Sequence, residues 1–481
     1  MNVSWWMWTW CLVLVNLLVS QLTTSGLIGL IVGAIELVVT GLVVAKDTPQ
    51  KWHGSNLLVI FLSLLAATIF LLPFGGLGAT IPLMNSITLP ENLLRVLYLK
   101  RILIVPWLII FYLAVVWLWS HYLHPKLRDH FANDRLHEFP LKFALFTVLV
   151  VVIGLISGNR GSDRWLALVY LVFGSLLIAF WLAWLVERLT ALPLHQLPRS
   201  LSVTLVIIGL VLTGTVYTQA GRQAREASHY PSPVVVSHRG VDRHNGVQNT
   251  TQALRRTARE HPEKVETDTQ ESRDHHFVMM HDPSLKHLAN QNYQVSQRSF
   301  HQLKQTTIAE HGHHSKISSL DDYLAVANMK RIPLIIEIKP QNISPQAVAT
   351  RFIKDYRPAQ QKNKFMMHSI DPQIIRKVHQ LDPQIKTGLI EPFTLSRPAS
   401  DKLTFYSLNY HFINTAQVTT LHQKGVKVFA WTVNSPSAAL RMRQLKINGI
   451  ITDNYRDIRD IIAKNDYPLT SRIKNLLFQL I

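Results

Sequence analysis

The chain has 481 residues and carries 49 Lys and Arg against 30 Asp and Glu, a formal net charge of +19. Such a charge suits nucleic acid, an anionic membrane surface or a phosphate-rich polymer as partner. The basic residues are scattered among Gln, Asn and His instead of clustering with aromatic residues, so nucleic-acid binding is not expected. The single cysteine, Cys11, excludes an internal disulfide.

Residues 1–220 contain repeated apolar stretches of roughly the 17 to 25 residues that cross a bilayer. The connecting loops on the side of the membrane that holds the amino terminus contain eight Lys and Arg, and the loops on the opposite side contain five. Because positive loops stay in the cytoplasm, this bias predicts a multi-pass protein of the cell membrane whose carboxy-terminal half is extracytoplasmic. We predict seven spans, near residues 5–20, 25–45, 57–78, 102–123, 143–158, 165–186 and 202–219.

Glu36 is an acid deep inside the second predicted span. A carboxylate in the bilayer is costly unless it faces protein or water, so it is a functional candidate by default. The simpler interpretation, a protonated or hydrogen-bonded packing residue, is favoured about two to one.

The pattern changes after the last span. Residues 221–233 are polar, end in two prolines and are interpreted as a linker. From 234 to 465 about eight short apolar strands alternate with amphipathic helices, which predicts a parallel (β/α)8 TIM barrel. The fold class is therefore an α-helical transmembrane bundle followed by an α/β barrel. Residues 466–481 are predicted to form an amphipathic helix that either rests on the bilayer or, preferably, closes the barrel floor.

Polar side chains collect at the predicted carboxyl ends of the barrel strands, where active sites of this fold lie. Two acids, Glu266 and Asp268, are two residues apart on one strand and so share a face. Two such acids repel each other unless a cation lies between them. The full set of strand-end residues is His238, Arg239, Glu266, Asp268, Glu337, Lys339 and Trp431, with His281 following the second strand.

The acids Glu266, Asp268 and Glu337 would provide hard oxygen ligands, which favour Mg²⁺ or Ca²⁺ over zinc. Arg239 and Lys339 next to such an ion would make a pocket for an anion, most naturally a phosphate. Simpler interpretations remain open. The strand-two acids could be a solvated strand end, and Glu337 with Lys339 could be a structural ion pair.

The histidines leave further alternatives. His238 and His281 could suggest zinc, but they suit proton transfer equally well. Asp282 and Asp453 are expected to brace the barrel mouth and not to bind metal, by about two to one. The tract at residues 310–316 is expected to be a solvated loop.

Five segments of the barrel sequence form an ordered set of motifs between about residues 234 and 460. They are "SHRGVDRHNGVQNTTQAL", "VETDTQESRDHHFVMMHDPSL", "IPLIIEIKP", "MMHSIDPQIIRKV" and "VKVFAWTVNSPSAALRMRQLKINGIITD". In this order they resemble the glycerophosphodiester phosphodiesterase family, and the amino-terminal spans resemble its membrane-anchored branch in Gram-positive bacteria.

This resemblance implies metal-dependent hydrolysis of glycerophosphodiesters, with Ca²⁺ or Mg²⁺, to glycerol 3-phosphate and an alcohol. It implies His238 and His281 as the general acid/base pair, Arg239 and Lys339 as phosphate contacts, and Trp431 in the substrate pocket. It assigns the metal to Glu266, Asp268 and Glu337.

The chain departs from the family pattern at two positions. Gln248 stands where the family usually has an acid, and His287 where an arginine often follows. Neither is a proposed metal ligand, so activity is expected, with a possible shift in substrate preference. Two other hypotheses are a membrane-anchored module that binds anionic lipid or polymer, and a transporter with a fused hydrolase.

Overall fold

A computed structural model describes most of the barrel and part of the apolar half of the chain. The described residues are 3–22, 26–46, 106–107, 110–111, 114, 164–190, 199–341, 343–392, 403–464 and 469–478. They divide into two compact units, one made of the apolar helices with the carboxy-terminal helix, and one running from His229 to Asp466.

The first unit is entirely helical where it is described. Its core is made of leucine, alanine and isoleucine side chains, among them the fully buried Leu14, Leu17 and Leu171. A helix that is apolar around its whole circumference is buried either among other helices or in lipid. The helices are Val3–Leu22, Gly26–Lys46, Arg164–Thr190, Arg199–His229 and Leu469–Phe478.

The carboxy-terminal helix Leu469–Phe478 belongs to this first unit, so the expectation that it closes the barrel floor was wrong. Ile473, Leu476 and Leu477 are buried in the core of the first unit. Leu477 lies so close to Gly174 that a Cβ built there would be 2.5 Å from a Leu477 methyl group. The apolar face of the helix is therefore used for packing against Arg164–Thr190.

Among the described residues, one helical stretch, Leu201–Glu226, is long and apolar enough to cross a membrane. Shorter apolar stretches lie at Met7–Val19, Ile31–Leu42 and Arg164–Phe180. The spans predicted near 57–78 and 143–158, and nearly all of 102–123, fall outside the described residues. The helix Arg199–His229 also continues through residues 221–229, where a linker was predicted.

The second unit contains a closed eight-stranded parallel barrel, as the sequence predicted. Its strands are Val234–Ser237 (β1), Lys264–Glu271 (β2), Leu334–Ile338 (β6), Met366–Ser369 (β7), Thr387–Glu391 (β8), Phe405–Asn409 (β9), Lys427–Trp431 (β10) and Gly449–Thr452 (β11). They follow one another around the barrel in this order. Strand β1 pairs with both β11 and β2, and this double pairing closes the sheet.

Three more strands lie outside the barrel wall. Strand β3 (Phe277–Met279) pairs antiparallel with the end of β2. Strands β4 (Thr307–Glu310) and β5 (His313–Lys316) form a separate hairpin. The tract at 310–316 was expected to be a solvated loop. Most of its side chains are exposed, but its backbone forms a hairpin and not a loop, since the N–H and C=O groups of the two strands bond to each other.

Helices follow the barrel strands and begin where the sequence offers caps. The side chains of Ser344, Asp371 and Ser435 each accept a hydrogen bond from a backbone N–H in the first turn of the following helix. Each is followed directly by a proline, which suits the first helical position because an N–H there would have no partner within the helix. The α-helices of this unit are Thr251–Thr257, Lys286–Ala289, Phe300–Gln305, Leu320–Lys330, Pro345–Asn363, Pro372–Leu381, Thr415–Gln423, Pro436–Gln444 and Tyr455–Ala463.

Strand register places the candidate residues on one level of the barrel. Asp268 on β2 is opposite Glu337 on β6, and Glu337 is opposite His368 on β7. All three side chains are buried. In a parallel barrel covered by helices, charged side chains at this depth are found inside the barrel mouth, where they need partners.

Candidate active site

The acidic centre of the barrel mouth is formed by Glu266, Glu337 and His368. Each offers one ligand atom, and these atoms lie within 4.8 Å of one another. Nε2 of His368 is 3.3 Å from Oε1 of Glu266. Sequence reasoning missed His368, although its strand "KFMMHS" and its place next to "IIEIK" in the barrel order could have indicated it.

Asp268, the third predicted metal ligand, is held by a different set of partners. Oδ2 accepts a hydrogen bond of 2.8 Å from the Asn249 side chain and is 3.5 Å from Nε of Arg239. Oδ1 is 3.4 Å from Nζ of Lys339. Burial alone would raise the pKa of Asp268, but Lys339, His281, Arg239 and His238 together hold it well below its usual range. Asp268 is thus a permanent anion at neutral pH.

Lys339 forms ion pairs with both Glu337 and Asp268 and so connects the acidic centre to Asp268. Its Nζ is 3.0 Å from Oε1 of Glu337 as well as close to Asp268. Burial would lower the pKa of Lys339, but the two carboxylates outweigh it and raise this pKa. For Glu337 burial dominates and raises the pKa despite Lys339. The structural ion pair considered from the sequence is present, and it lies within the candidate site.

The donor set fits a divalent cation. Glu266 and Glu337 are buried carboxylates of a kind that remains costly without a positive partner. Carboxylate oxygens are the ligands of hard cations such as Ca²⁺ and Mg²⁺. His368 adds an imidazole, and its Nδ1 is buried with no hydrogen-bond partner among the described residues. The three predicted acids lie on adjacent strands, and their part in metal binding stays a prediction.

Both candidate proton-transfer histidines are braced by an aspartate. Nδ1 of His238 is 2.7 Å from Oδ1 of Asp453, and Nδ1 of His281 is 2.7 Å from Oδ1 of Asp282. The Asp282 pKa is lowered mainly by the His281 hydrogen bond. For Asp453 burial opposes ionisation, but the bond from His238 lowers the pKa to about 2. Both aspartates therefore brace histidines, as the sequence favoured.

The brace determines which nitrogen of each ring can take part in chemistry. A carboxylate at Nδ1 keeps the proton there, so Nε2 is left to accept or donate a proton. Nε2 of His238 is 3.9 Å from Oε2 of Glu266, at the acidic centre. His281 lies near enough to Asp268 to lower its pKa. The geometry thus leaves Nε2 of both rings available, and the part of these histidines in proton transfer stays a prediction.

Arg239 occupies a turn directly after β1. Its φ of 54° lies in the left-handed region, within the short 3-10 turn His238–Gly240. Its backbone N–H donates to Oε2 of Glu266, and its Nη1 donates to Oε1 of Gln248. Nε is buried and makes no hydrogen bond in the described part of the chain, although it is 3.5 Å from Oδ2 of Asp268. A partly buried guanidinium of this kind is suited to bind an anion.

The remaining candidates are placed as follows. Trp431 ends β10, is partly buried and packs beside Phe405 and Phe429, with an Nε1 lacking a partner among the described residues. Nδ1 of His287 is 3.7 Å from Oδ2 of Asp282, so this departure from the family pattern places a second imidazole beside that carboxylate. His275 bonds the buried Glu271 outside the cluster described above.

Comparison with known proteins agrees with this geometry. Residues 238–456 match the family described as "Glycerophosphoryl diester phosphodiesterase family". A glycerophosphodiester phosphodiesterase of Caldanaerobacter subterraneus is 25% identical over 239 residues, which are 48% of this chain and 98% of that protein. One from Bacillus altitudinis is 22% identical over 231 residues, 46% of this chain and 94% of that protein.

Solved structures resemble the barrel half of the chain. A phosphodiesterase from Oleispira antarctica, in complex with the product sn-glycerol-3-phosphate, is 19% identical with a TM-score of 0.44, covering 48% of this chain and 97% of that one. A glycerophosphodiester phosphodiesterase from Parabacteroides distasonis is also 19% identical with a TM-score of 0.44, covering 49% and 98%. Residues 238–456 thus match the glycerophosphoryl diester phosphodiesterase family, and this match together with the curated relatives indicates that the chain is an enzyme, a glycerophosphodiester phosphodiesterase.

Proposed function

We propose that this enzyme hydrolyses glycerophosphodiesters at a membrane surface, with a divalent cation, and releases glycerol 3-phosphate and an alcohol. The substrates would be lipid headgroup diesters or a glycerol-phosphate polymer. The observation that carries the proposal is the pair of aspartate-braced histidines at a cluster of buried carboxylates, with Arg239 and Lys339 close to the same acids. Two proton-transfer groups and two cations suit the cleavage of a phosphodiester, which needs proton transfer and neutralisation of phosphate charge.

Arg239 would bind the non-bridging oxygens of the phosphodiester. Its guanidinium is always charged and can donate two parallel hydrogen bonds, so it neutralises charge that grows in the transition state. Lys339 is paired with Glu337 and Asp268, so we expect it to orient these carboxylates beside the phosphate. A bound divalent cation would supply further neutralisation of the phosphate charge.

His238 and His281 would move the protons. One Nε2 would take the proton of the attacking hydroxyl, and the other would give a proton to the leaving alkoxide. The attacking hydroxyl could belong to water or to the neighbouring glycerol carbon, which would pass through a cyclic phosphate. Both routes need the same two histidines.

Glu266 and Glu337 would hold the cation, with Asp268 or His368 as the next ligand. Ca²⁺ or Mg²⁺ is the expected ion, because carboxylate oxygens dominate the set. Trp431 would line the pocket for the glycerol or alcohol portion.

Membrane attachment rests on the helix Arg199–His229. Val203, Ile207, Leu210 and Val211 are between 56% and 64% exposed in the first unit. Large apolar side chains at this exposure are usual on a helix that faces lipid. We propose that the apolar helices anchor the chain in the cell membrane with the barrel on the extracytoplasmic side.

The test uses the purified full chain in detergent or nanodiscs. Glycerophosphocholine, glycerophosphoethanolamine and polyglycerol phosphate are offered before and after EDTA treatment, and again with Ca²⁺ or Mg²⁺ added back. We expect glycerol 3-phosphate release that EDTA abolishes and one of the two ions restores. Glu266→Ala is the matched inactive control, and binding without hydrolysis by the wild type would favour the binding-module hypothesis. Release that EDTA leaves unchanged would exclude the metal-dependent reaction.

A further inference from the structure

The phosphate-binding candidate Arg239 is connected to a carboxylate in the β4–β5 hairpin through the side chain of Gln248. Nη1 of Arg239 donates to Oε1 of Gln248. Nε2 of Gln248 donates to Oε1 of Glu310 at 2.6 Å, and the backbone N–H of Gln248 donates to Oε2 of Glu310 at 2.9 Å. Both oxygens of Glu310 are therefore used on Gln248.

The hydrogen bond that Glu310 accepts from Nε2 determines the orientation of the Gln248 side-chain amide. An amide has an acceptor end and a donor end, and a guanidinium can only donate. Only the orientation with Oε1 toward Arg239 makes a hydrogen bond there, and Glu310 stabilises this orientation by accepting from Nε2. Without the carboxylate, the Gln248 amide could rotate, and its NH2 group would then face the N–H donors of Arg239.

The arrangement also brings negative charge toward Arg239. Gln248 is 8% exposed, so the contact is largely shielded from water and hydrogen bonds in series polarise one another. Gln248 has no charge of its own, and Glu310 provides one at its far end. Arg239 is in turn 3.5 Å from Asp268, so its guanidinium is held from two directions.

We propose that Glu310 is a positioning residue for Arg239, acting through Gln248, and that it tunes the affinity of the site for the phosphate of a glycerophosphodiester. This inference rests on the proposed function, since it assigns Arg239 to the phosphate. Glu310 is on a hairpin outside the barrel wall, so this hairpin would contribute to the site through Gln248. With Nη1 held by Gln248 and Nε facing Asp268, the guanidinium of Arg239 would present its remaining N–H groups to the phosphate.

The test compares variants of the full chain in detergent. Glu310→Gln removes the charge but keeps the shape, and we expect KM for glycerophosphocholine to rise about tenfold while kcat stays within about twofold. Gln248→Glu combined with Glu310→Gln moves the carboxylate next to Arg239, and we expect KM to return to within about threefold of wild type. His314→Gln, exposed on the same hairpin, is the matched control.

Two further measurements separate positioning from a merely structural role. In a Gln248→Leu background the link is broken, so Glu310→Gln should have no further effect on KM. Binding of glycerol 3-phosphate, measured by calorimetry, should weaken in parallel with the KM change and needs no turnover. The melting temperature should be the same for Glu310→Gln and the His314→Gln control.

Contrary outcomes are equally well defined. The proposal fails if Glu310→Gln matches the His314→Gln control, if its effect persists in the Gln248→Leu background, or if wild type does not bind glycerol 3-phosphate. A wild type that binds glycerol 3-phosphate but hydrolyses no diester would overturn the proposed function while leaving the effect of Glu310 measurable by binding.

Discussion

His238 and Asp453 are 215 residues apart in the chain, yet Nδ1 of His238 is 2.7 Å from Oδ1 of Asp453. The contact exists because β1 and β11 are neighbours in the closed barrel, with Ser237 opposite Thr452. Asn434 donates a second hydrogen bond to Asp453, which fixes the carboxylate. Barrel closure therefore assembles the brace of a candidate catalytic residue.

Replacing Asp453 by Asn should lower kcat by about 100-fold or more while changing KM little. The Asn side chain would keep the shape, but its amide could donate to Nδ1 and so favour the wrong tautomer of His238. Steady-state kinetics on glycerophosphocholine would measure this. Asp457→Asn, which removes a surface partner of Arg243, is the control and should be near wild type. Equal activity of the two variants would remove Asp453 from the mechanism.

A substrate with a better leaving group should make the general acid, one of the two histidines, unnecessary. We expect His238→Ala and His281→Ala each to lower hydrolysis of glycerophosphocholine by about 100-fold to 10,000-fold. A glycerophosphodiester of p-nitrophenol needs no proton on its leaving oxygen. The variant that lacks the general acid should recover most of its rate on this substrate, and the variant that lacks the base should not. Recovery by both variants, or by neither, would contradict the acid/base assignment.

Metal binding should depend on Glu266 and Glu337 and be modulated by His368. We expect Glu266→Gln and Glu337→Gln to weaken Ca²⁺ or Mg²⁺ binding by at least tenfold, since each removes a charged ligand. If the imidazole is a ligand, His368→Ala should weaken Mn²⁺ binding more than Ca²⁺ binding, because nitrogen ligands suit transition metals better. Calorimetry with the metal alone measures both. Equal losses for the two ions would leave His368 as a hydrogen-bond partner of Glu266.

The stability that Asp453 contributes should disappear in acid. Its pKa is about 2 in the folded enzyme and about 3.9 in an unfolded chain, so its contribution is present above pH 4 and is lost as pH falls toward 2. The melting temperature of wild type should exceed that of Asp453→Asn at pH 6, and the two should converge near pH 2. A difference that stays constant over this range would mean that the carboxylate charge does not stabilise the fold.

The carboxy-terminal helix should be stabilised by its packing in the first unit. Ile473→Ala and Leu477→Ala each leave a cavity in a buried core, and we expect a loss of about 2 to 4 kcal/mol for each. Limited trypsin digestion of the full chain should then cut near Arg472 faster than in wild type. Lys464→Ala, at an exposed position beyond the last barrel helix, should leave this cleavage unchanged. Unaltered protection of the Ile473→Ala variant would contradict the packing.

Local patterns in the sequence were sufficient for much of the barrel. Apolar strands alternating with amphipathic helices predicted eight strands, because hydrophobic periodicity acts over a few residues. The spacing of Glu266 and Asp268 predicted a shared face for the same reason. The strand-end rule then placed His238, Arg239, Glu337 and Lys339 together.

Tertiary structure alone decided which partners these residues have. His368 joined the acidic centre because β7 lies next to β6, and Glu310 reached Gln248 because a hairpin formed where a loop was expected. The carboxy-terminal helix packs in the first unit because its apolar face found a partner there, which amphipathicity by itself cannot specify. The sequence by itself determined strands, caps and the types of side chain at the barrel mouth. Contacts between distant segments depend on how the chain closes, and only the tertiary structure decided them.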